Sequence, residues 1–289
     1  MKKFLSRLFL SLLPIFVYWI SVAIYNIQNF INNPLITNNN VLILGDSHAQ
    51  YAINDKLLPS AANYSQAAEP LVLSYWKLKY LLKNNHPDTI IISFAPHSIS
   101  RFRDLAFTHE RWRDEILKRS FLIGEVFSIE NLQVDYWCLF KICLKQILIK
   151  PNNDLKYFIG AFEEKRGTHL GDSLESIRRH YYFESVGFMG ISNVSIHYLD
   201  SIHQTCVNNG IHLVLTNHPL HESYFKRIPL EIYNKFIDLE GYYKKKGVTI
   251  LDYSKHQFPD SLFFNSDHLN GLGAIGYTNL LKRDLYNKK

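Results

Sequence analysis

Cysteine is scarce in this sequence, and the few that occur are poorly placed for cross-linking or metal binding. The 289 residues contain three cysteines and no CxxC pair. The absence of this pair excludes zinc ribbons and thioredoxin-type redox motifs, and the odd count does not indicate a disulfide framework. Cys138 and Cys143 are five residues apart, so they would lie on different faces of a helix. We therefore expect these residues and Cys206 to be buried free thiols.

Glycine and proline are likewise too few for a fibrous or low-complexity chain. The sequence has 13 glycines and 10 prolines, and 47% of its residues are hydrophobic. This composition supplies a substantial core and excludes a largely disordered protein. The formal net charge of +6 arises partly from the two ends and is too small to indicate nucleic-acid binding. The sequence also lacks a dinucleotide-binding fingerprint, a P-loop and a zinc signature, so we expect no cofactor.

The N-terminal residues 1–27 combine a basic start with a long apolar run. No charged residue occurs from Leu8 to Ile27, and about 20 apolar residues suffice to span a bilayer as a helix. We therefore predict a signal-anchor helix that crosses the cell membrane once through residues 8–27. Because the basic residues precede this run, the rest of the chain is expected on the extracytoplasmic side, which is the periplasm in a Gram-negative cell.

Two other interpretations of this segment are a cleaved signal peptide and a buried helix of a soluble domain. A signal peptide would have a small-x-small cleavage site, but Ala23 is followed by the bulky residues Ile24 and Tyr25. We therefore favour an uncleaved anchor. Residues 28–40 are polar, uncharged and rich in asparagine, and this composition predicts a linker.

Four short apolar runs predict the strands of one domain that extends from residue 41 to 289. They are Val41–Leu44, Thr89–Phe94, His212–Thr216 and Val248–Leu251. Runs that are apolar on both faces are typical of a parallel sheet covered by helices. Segments with helical spacing separate these runs, at Leu71–Lys83, Val194–Asn208 and Leu230–Lys246. The alternation predicts a doubly wound α/β fold, in which the chemistry lies at the carboxyl ends of the strands.

Residues 101–190 fit this alternation less well. They are rich in aromatic and basic residues, and Trp137–Ile149 has the pattern of an amphipathic helix. We interpret this region as a helical insertion that forms a lid or a face near the membrane. Ordinary helices that cover the sheet are an equally good interpretation.

The first predicted strand leads directly into the sequence Gly45-Asp46-Ser47-His48, which we consider the best candidate for a nucleophile. Gly45 permits a sharp turn, and we assign it with Ser47 to the loop that binds substrate. Ser47 would then lie at the carboxyl edge of the sheet and near a helix N-terminus, where its backbone N–H can help to hold an oxyanion. The alternative is that Ser47 only caps a helix or a turn.

A serine hydroxyl is a weak nucleophile without a base, and His268 is the candidate base. It follows a short loop after the last predicted strand, and a helix from about Gly271 to Tyr286 would come next. His268 and Ser47 would therefore meet at one edge of the sheet. A second triplet at Gly171–Ser173 also reads Gly-Asp-Ser, but no buried strand precedes it, so we do not regard its serine as the nucleophile.

Other histidines have simpler explanations. His48 directly follows the candidate nucleophile and is expected to cap or pack there. His218 and His221 follow the third predicted strand at a spacing of three residues, which would suit a pair of metal ligands. No third ligand is placed by spacing, so we predict no metal site.

The segments Gly45–His48 and Asp267–Ala274, the latter with the sequence DHLNGLGA, together resemble the two end motifs of the SGNH/GDSL hydrolase superfamily. More closely, they resemble membrane-anchored SGNH-like proteins of bacterial envelope and exopolysaccharide O-acetylation. The resemblance covers residues 41–283. It implies a three-layer α/β/α sandwich, with Ser47 as nucleophile and His268 as general base. It also implies hydrolysis of an O-acyl ester or transfer of the acyl group to a sugar hydroxyl.

The segment before the candidate base departs from the usual pattern of the superfamily. The superfamily usually has Asp three residues before the histidine, where this chain has Asn265, while Asp267 is adjacent to His268. Asn265 can orient a neutral imidazole but cannot balance the charge of an imidazolium. Asp267 is therefore an alternative orienting residue, and a Ser–His dyad is a third possibility.

The oxyanion-binding blocks also differ from the usual pattern. Ala67 or Ala68 stands where the second block normally supplies a glycine N–H, and we select Ala68. The asparagine of the third block is missing, and His97 is the nearest donor that could replace it. The resemblance thus implies an oxyanion site made by Ser47, Ala68 and His97.

These expectations combine into a membrane-anchored serine esterase or O-acyltransferase, with acetyl as the expected acyl group and a cell-surface polysaccharide as the expected carrier. Its partners would be an acylated glycan or acyl donor, the membrane, and other proteins of polysaccharide assembly. The alternative is a catalytically degenerate envelope protein that binds a glycan or a partner acyltransferase. The altered blocks motivate this alternative.

Overall fold

The computed structural model describes residues 2–32, 35–123, 134–148, 159–183 and 187–286. Five strands form its central sheet: β1 Val41–Leu44, β2 Ala61–Asn63, β3 Thr89–Ser93, β6 His212–Asn217 and β7 Thr249–Asp252. They pair in parallel in the order β2-β1-β3-β6-β7. Two antiparallel hairpins lie beside the sheet, made by β4 Tyr182–Phe183 with β5 Gly187–Phe188, and by β8 Phe263–Asn265 with β9 His268–Leu269.

The α-helices of the described residues include the four predicted between and after the apolar strands. They are α1 Lys2–Asn32, α2 Ser47–Ala52, α3 Leu71–Leu82, α4 Arg113–Ile123, α5 Tyr136–Leu148, α6 Ser173–Tyr181, α7 Asn193–Asn208, α8 Glu222–Phe225, α9 Leu230–Lys245 and α10 Gly271–Tyr286. A 3₁₀ segment at Arg101–Phe107 precedes α4. The described part of residues 101–190 is therefore mainly helical, which fits both a helical insertion and ordinary helices that cover the sheet.

Alternate side chains of β1 enter two separate apolar clusters, one on each face of the sheet. Leu42 and Leu44 pack with residues of α3, α7 and α9, whereas Val41 and Ile43 pack with residues of α2 and α10. Burial of each such side chain stabilises the fold by roughly 1.5–3 kcal/mol. The predicted three-layer α/β/α sandwich with a mainly parallel sheet is thus confirmed.

The strands end together at one edge of the sheet, and this edge carries the candidate site. Leu44 pairs with Ile92, and Ser93 pairs with Thr216. Residues that directly follow β1 and β3 therefore become neighbours. β2 was not predicted because three residues that include two alanines give no apolar run, yet its pairing with β1 brings the chain that follows it to the same edge.

The N-terminal helix α1 is longer than predicted. Its segment Ser6–Asn26 has a mean hydropathy of 2.1 and is long and apolar enough to cross a membrane. A signal sequence near the N-terminus has the same properties, so the anchor remains a prediction. α1 continues to Asn32, which corrects the predicted start of the linker at residue 28. No proline interrupts the chain between Pro14 and Pro34, so the polar residues after 27 can continue the helix.

The expectation of buried free thiols is met only in part. Cys206 is free and buried, and burial raises its pKa to about 12. Cys138 is free but only partly buried, and its Sγ lies 3.2 Å from Asp114 Oδ1. The side chain of Cys143 lies outside the described part of the chain.

Candidate active site

Ser47 is placed by a tight crossing between the ends of β1 and β3. Gly45 has φ of +143°, and a Cβ at this position would lie 2.5 Å from the Cβ of Ser93. Only glycine fits this close approach. Ser47 then begins α2, and the Asp46 side chain caps this helix by accepting a hydrogen bond of 3.0 Å from His48 N. Gly45 therefore allows the backbone to pass close to Ser93, and the substrate-binding role assigned to it stays a prediction.

His268 reaches Ser47 from the other end of the chain. The β8–β9 hairpin carries His268 at the start of β9, just before α10 packs along α2. Its Nε2 lies 2.8 Å from Ser47 Oγ, which is the distance of a hydrogen bond between a nucleophile and its base. The structure thus brings together the two residues that the sequence motifs single out, although 221 positions separate them.

Asn265 and Asp267 both approach the other nitrogen of His268. Asn265 Oδ1 lies 3.0 Å from His268 Nδ1, whereas Asp267 Oδ1 lies 3.4 Å from it. The amide of Asn265 therefore makes the shorter contact, and it fixes a tautomer in which Nδ1 carries the proton and Nε2 can accept one from Ser47. Asn265 Oδ1 also accepts a hydrogen bond of 3.3 Å from Asp267 N.

The carboxylate of Asp267 is fully buried and is held mainly by helix α6. Ser176 Oγ lies 3.0 Å from Oδ1, and Arg179 Nη2 donates to Oδ2 at 3.4 Å. Burial raises the pKa of Asp267, but His268, His48 and His180 outweigh this effect and hold it well below its usual range. Asp267 thus contributes a negative charge beside His268 without being its nearest partner.

The second Gly-Asp-Ser triplet, at residues 171–173, contacts residues next to Asp267 through the side chain of Asp172. Asp172 Oδ1 accepts a hydrogen bond of 3.0 Å from Ser266 N, and its Oδ2 lies 2.9 Å from Ser176 Oγ. Ser173 is the first residue of α6 and does not contact Ser47 in any described interaction. The position of Ser173 therefore agrees with the expectation that it is not the nucleophile. The contacts of Asp172 with Ser266 and Ser176 could not be predicted from the sequence.

A second buried carboxylate, that of Asp46, lies directly beside the candidate nucleophile. It is bonded to Arg103, and its Oδ2 lies 2.6 Å from His97 Nε2. Ser93 Oγ donates to Oδ1 at 3.3 Å. Burial raises the pKa of Asp46, but His97, His48 and Arg103 together hold it well below its usual value. Asp46 therefore remains ionised and fixes the loop that carries Ser47.

Four further histidines form a buried stack behind Ser47. The ring of His48 lies 4.1 Å from that of His97 and 4.3 Å from that of His218, and the rings of His97 and His180 are 4.7 Å apart. Burial lowers the pKa of each of them, to about 3 for His48. These imidazoles are therefore neutral at physiological pH, and they surround the site with aromatic rings that carry no charge.

Two groups of these residues have the donor types of a metal site. One is Asp46, His48 and His97, and the other is His48, Asp267 and His268; in each, the ligand atoms lie within 4.8 Å of one another. Each carboxylate already pairs with a guanidinium, that of Arg103 or Arg179, and a nearby positive charge opposes the binding of a cation. His221 faces Ser223 and Asp260 instead, so it does not join His218 as a ligand pair in the described residues.

Ala68 has the backbone conformation that normally requires glycine. Its φ is +61°, in the left-handed region, which is uncommon for alanine. The N–H of Ala67 is occupied, because it donates to Gln50 Oε1 at 2.7 Å. Ala68 is therefore the better candidate of the two for an oxyanion donor. The structure thus supplies the backbone angle that the altered sequence block requires.

His97 is poorly placed for the role of oxyanion donor that we expected of it. Its Nε2 is used by Asp46 at 2.6 Å, and burial lowers its pKa. A neutral imidazole that donates from Nε2 has only an acceptor at Nδ1. The 3₁₀ turn at Pro96–Ile99 directs the ring to Asp46.

Several residues of the site were not found from the sequence. Arg103, Arg179 and His180 come from the region that did not fit the strand–helix alternation. A signal was present in the spacing, because Ser176, Arg179 and His180 recur at positions i, i+3 and i+4 and share one face of α6. Without the path of the chain, however, that face could not be matched to Asp267.

No protein-family model matches this chain, and no curated protein matches it. Three solved structures resemble it over most of their length. A proposed acylhydrolase of Bacteroides fragilis has 11% identity and a TM-score of 0.45, covering 91% of this chain and 94% of its own. A proposed platelet activating factor of Streptococcus pneumoniae has 13% identity and a TM-score of 0.43, and the match covers 99% of this chain and 100% of that one. A GDSL-like lipase of Bacteroides thetaiotaomicron has 10% identity and a TM-score of 0.42, and the match covers 93% of this chain and 100% of that one. At these identities and TM-scores the resemblance assigns no reaction.

Proposed function

We propose that this protein is a serine esterase or O-acyltransferase that acts through Ser47 and His268. The single observation that carries this proposal is the distance of 2.8 Å between Ser47 Oγ and His268 Nε2, at the carboxyl edge of a parallel sheet. The contact of 3.0 Å between Asn265 and the other imidazole nitrogen supports it, because a base must be held in one tautomer to accept the serine proton.

The proposed reaction has two steps that share an acyl-enzyme. Ser47 Oγ attacks the carbonyl carbon of the ester while His268 Nε2 takes the hydroxyl proton, and the N–H groups of Ser47 and Ala68 hold the oxyanion. His268 then gives the proton to the departing alcohol as its C–O bond breaks. In the second step His268 deprotonates water or a sugar hydroxyl, which attacks the acyl carbon. His268 then returns the proton to Ser47 Oγ as the acyl C–O bond breaks. Hydrolase and transferase differ only in this acceptor.

We further propose that α1 anchors the protein in the membrane and that the α/β domain lies on the extracytoplasmic side. The packing of α1 supports this, because α1 contacts α5 and buries Val22 and Asn26. A helix removed by a signal peptidase would not need such contacts. In α5, Trp137 and Phe140 are exposed beside the proposed anchor, which suits a face near a membrane surface. The resemblance to envelope O-acetylation proteins motivates an acetyl group and a cell-surface polysaccharide as substrate.

The proposed reaction is tested with the full chain in detergent micelles and p-nitrophenyl acetate. We expect release of p-nitrophenol and a transient mass increase of one acetyl group on the intact protein. Ser47→Ala should abolish both, while Ser173→Ala, which changes the serine of the second Gly-Asp-Ser triplet, should retain the acetyl adduct. Equal turnover by the Ser47 variant would contradict the proposal.

The second candidate function is a non-catalytic envelope protein that binds a glycan or a partner acyltransferase. The neutral amide of Asn265 favours it, since an amide does not balance the charge of an imidazolium. A fluorophosphonate probe separates the two functions, because only an activated serine reacts faster than free serine. A folded protein whose Ser47 does not react would support the binding function.

A further inference from the structure

A large cavity on the far side of helix α6 is lined by arginine and aromatic side chains. Its volume is about 950 Å³, and it lies between α6, the residues before α4, the strand β4 and the end of α8. Four arginines line it: Arg111, Arg178, Arg179 and Arg227. Trp112, Tyr182, Phe183 and His109 provide flat rings.

The charge of this cavity is only partly neutralised by the residues that the structure describes, because Arg179 pairs with Asp267. Glu175 is the only acidic residue among its described lining. Arg111, Arg178 and Arg227 form no ion pair with any described carboxylate, whereas most arginines at other sites in the domain do. A cluster of unpaired guanidinium groups in a concave site attracts an anion.

The lining combines the two types of side chain that bind an acidic sugar, which are guanidinium groups and aromatic rings. A guanidinium binds a carboxylate or a phosphate through two parallel hydrogen bonds. The guanidinium of Arg111 lies over the ring of Trp112, 5.3 Å from its centroid, and this cation–π contact holds the charged group at the cavity. Aromatic rings cover the apolar faces of a ligand, and the arginines would fix its charged group.

We propose that this cavity binds an acidic saccharide, through a carboxylate or a phosphate carried on the sugar. The choice of a saccharide rests on the proposed function, whereas the preference for an anion rests on the arginines alone. Arg179 connects the cavity with the candidate active site, because it lines the cavity and its Nη2 lies 3.4 Å from Asp267 Oδ2. Binding in the cavity would therefore hold the acidic part of a substrate next to the residues that support the candidate active site.

Binding is tested calorimetrically with the full-length Ser47→Ala protein in detergent micelles, so that no turnover interferes. The carboxylate probe is trigalacturonate with maltotriose as its neutral counterpart, and the phosphate probe is glucose 6-phosphate with glucose as counterpart. We expect at least one acidic probe to bind and its neutral counterpart to bind at least about tenfold more weakly. Which acidic probe binds distinguishes a uronate-type from a phosphorylated sugar.

Paired variants assign the binding to the cavity. Arg111→Gln combined with Arg178→Gln should weaken binding of the acidic probe at least about tenfold. The matched control combines Arg166→Gln with Arg283→Gln, which removes the same charge from exposed positions outside the cavity lining, and should leave the affinity unchanged. Equal loss in both double variants, or equal affinity for acidic and neutral probes, would overturn the proposal. Binding by a parent protein that shows no acetyl adduct would instead refute the proposed reaction and retain the cavity.

Discussion

Asn265 Oδ1 lies 3.0 Å from Nδ1 of His268, so an uncharged amide occupies the position nearest to the candidate base. The carboxylate of Asp267 is farther from the same nitrogen, at 3.4 Å, and is shared with Ser176 and Arg179. Orientation of the imidazole and stabilisation of its charge are therefore divided between two neighbouring residues. Substitutions of Asn265 and of Asp267 are therefore expected to have different effects.

Asn265 orients His268, so its removal should slow the reaction without unfolding the protein. We expect Asn265→Ala to lower kcat for p-nitrophenyl acetate by roughly 10- to 100-fold, with little change in KM. Asn265→Asp should instead raise kcat above the parent value, because a second carboxylate stabilises the imidazolium that forms in the transition state. Asn208→Ala, at an exposed position of α7, serves as the control. Unchanged kcat in Asn265→Ala would show that the amide does not orient the base.

Asp267 is expected to act chiefly on stability. Its carboxylate is fully buried among Ser176, Arg179 and neighbouring imidazoles, and removing its charge leaves these partners unpaired. We expect Asp267→Asn to lower the free energy of unfolding by about 3 kcal/mol. Asp260→Asn removes a carboxylate that is 76% exposed and should change it by less than about 0.5 kcal/mol. Urea unfolding of both variants measures the difference, and equal stability would contradict the buried role of Asp267.

The strands and the two ends of the site follow from local sequence. Val41–Leu44 is apolar on both faces, which is typical of a parallel strand covered by helices on both sides. All four of its side chains are buried in the structure. Ser47 was found because the motif Gly45–His48 follows the first predicted strand, and His268 because it lies in the motif Asp267–Ala274, just before the last predicted helix. These features depend on a few adjacent residues, so they can be recognised without knowing the path of the chain.

The supporting residues depend on the path of the chain and were not predictable in this way. Arg103 and Arg179 each pair with a buried aspartate from a distant segment, and their own neighbours carry no sign of the partner. His97 was expected to face the oxyanion, but a 3₁₀ turn directs it to Asp46. The positions of Arg103, Arg179 and His97 are determined by electrostatic contacts with residues distant in sequence, and the local sequence pattern does not predict them.

Ala68 should tolerate glycine better than its neighbour does. At φ of +61° an alanine side chain is strained, and glycine relieves that strain while adding entropy to the unfolded chain. We expect Ala68→Gly to leave the free energy of unfolding unchanged or to raise it by up to about 1 kcal/mol. Ala67→Gly, at a residue without positive φ, should lower it by about 0.5–1 kcal/mol. Thermal unfolding compares the two, and a larger loss in Ala68→Gly would contradict the assigned conformation.

The buried histidines predict that stability falls as the solution is acidified. Burial lowers the pKa of His48, His180 and His218 below the ordinary value of 6.5, so below that pH the unfolded chain binds more protons than the folded one. Asp46 and Asp267 have a lowered pKa and stay ionised in the folded protein between pH 6.5 and 4. Burial raises the pKa of Glu240 to about 8, so this carboxyl takes up a proton on folding in that window and offsets part of the loss from the histidines.

The contribution of a single imidazole can be isolated at His218, whose ring stacks on His48 at 4.3 Å. Each buried histidine contributes at most about 1.4 kcal/mol of lost stability per pH unit, because one proton is then bound on unfolding. We expect His218→Phe, which keeps a stacked ring, to reduce the slope of unfolding free energy against pH between 6.5 and 4 by up to this amount. His256→Phe, at an exposed position, should leave the slope unchanged. Urea unfolding at four pH values measures both slopes, and an unchanged slope in His218→Phe would mean that this imidazole becomes protonated in the folded protein.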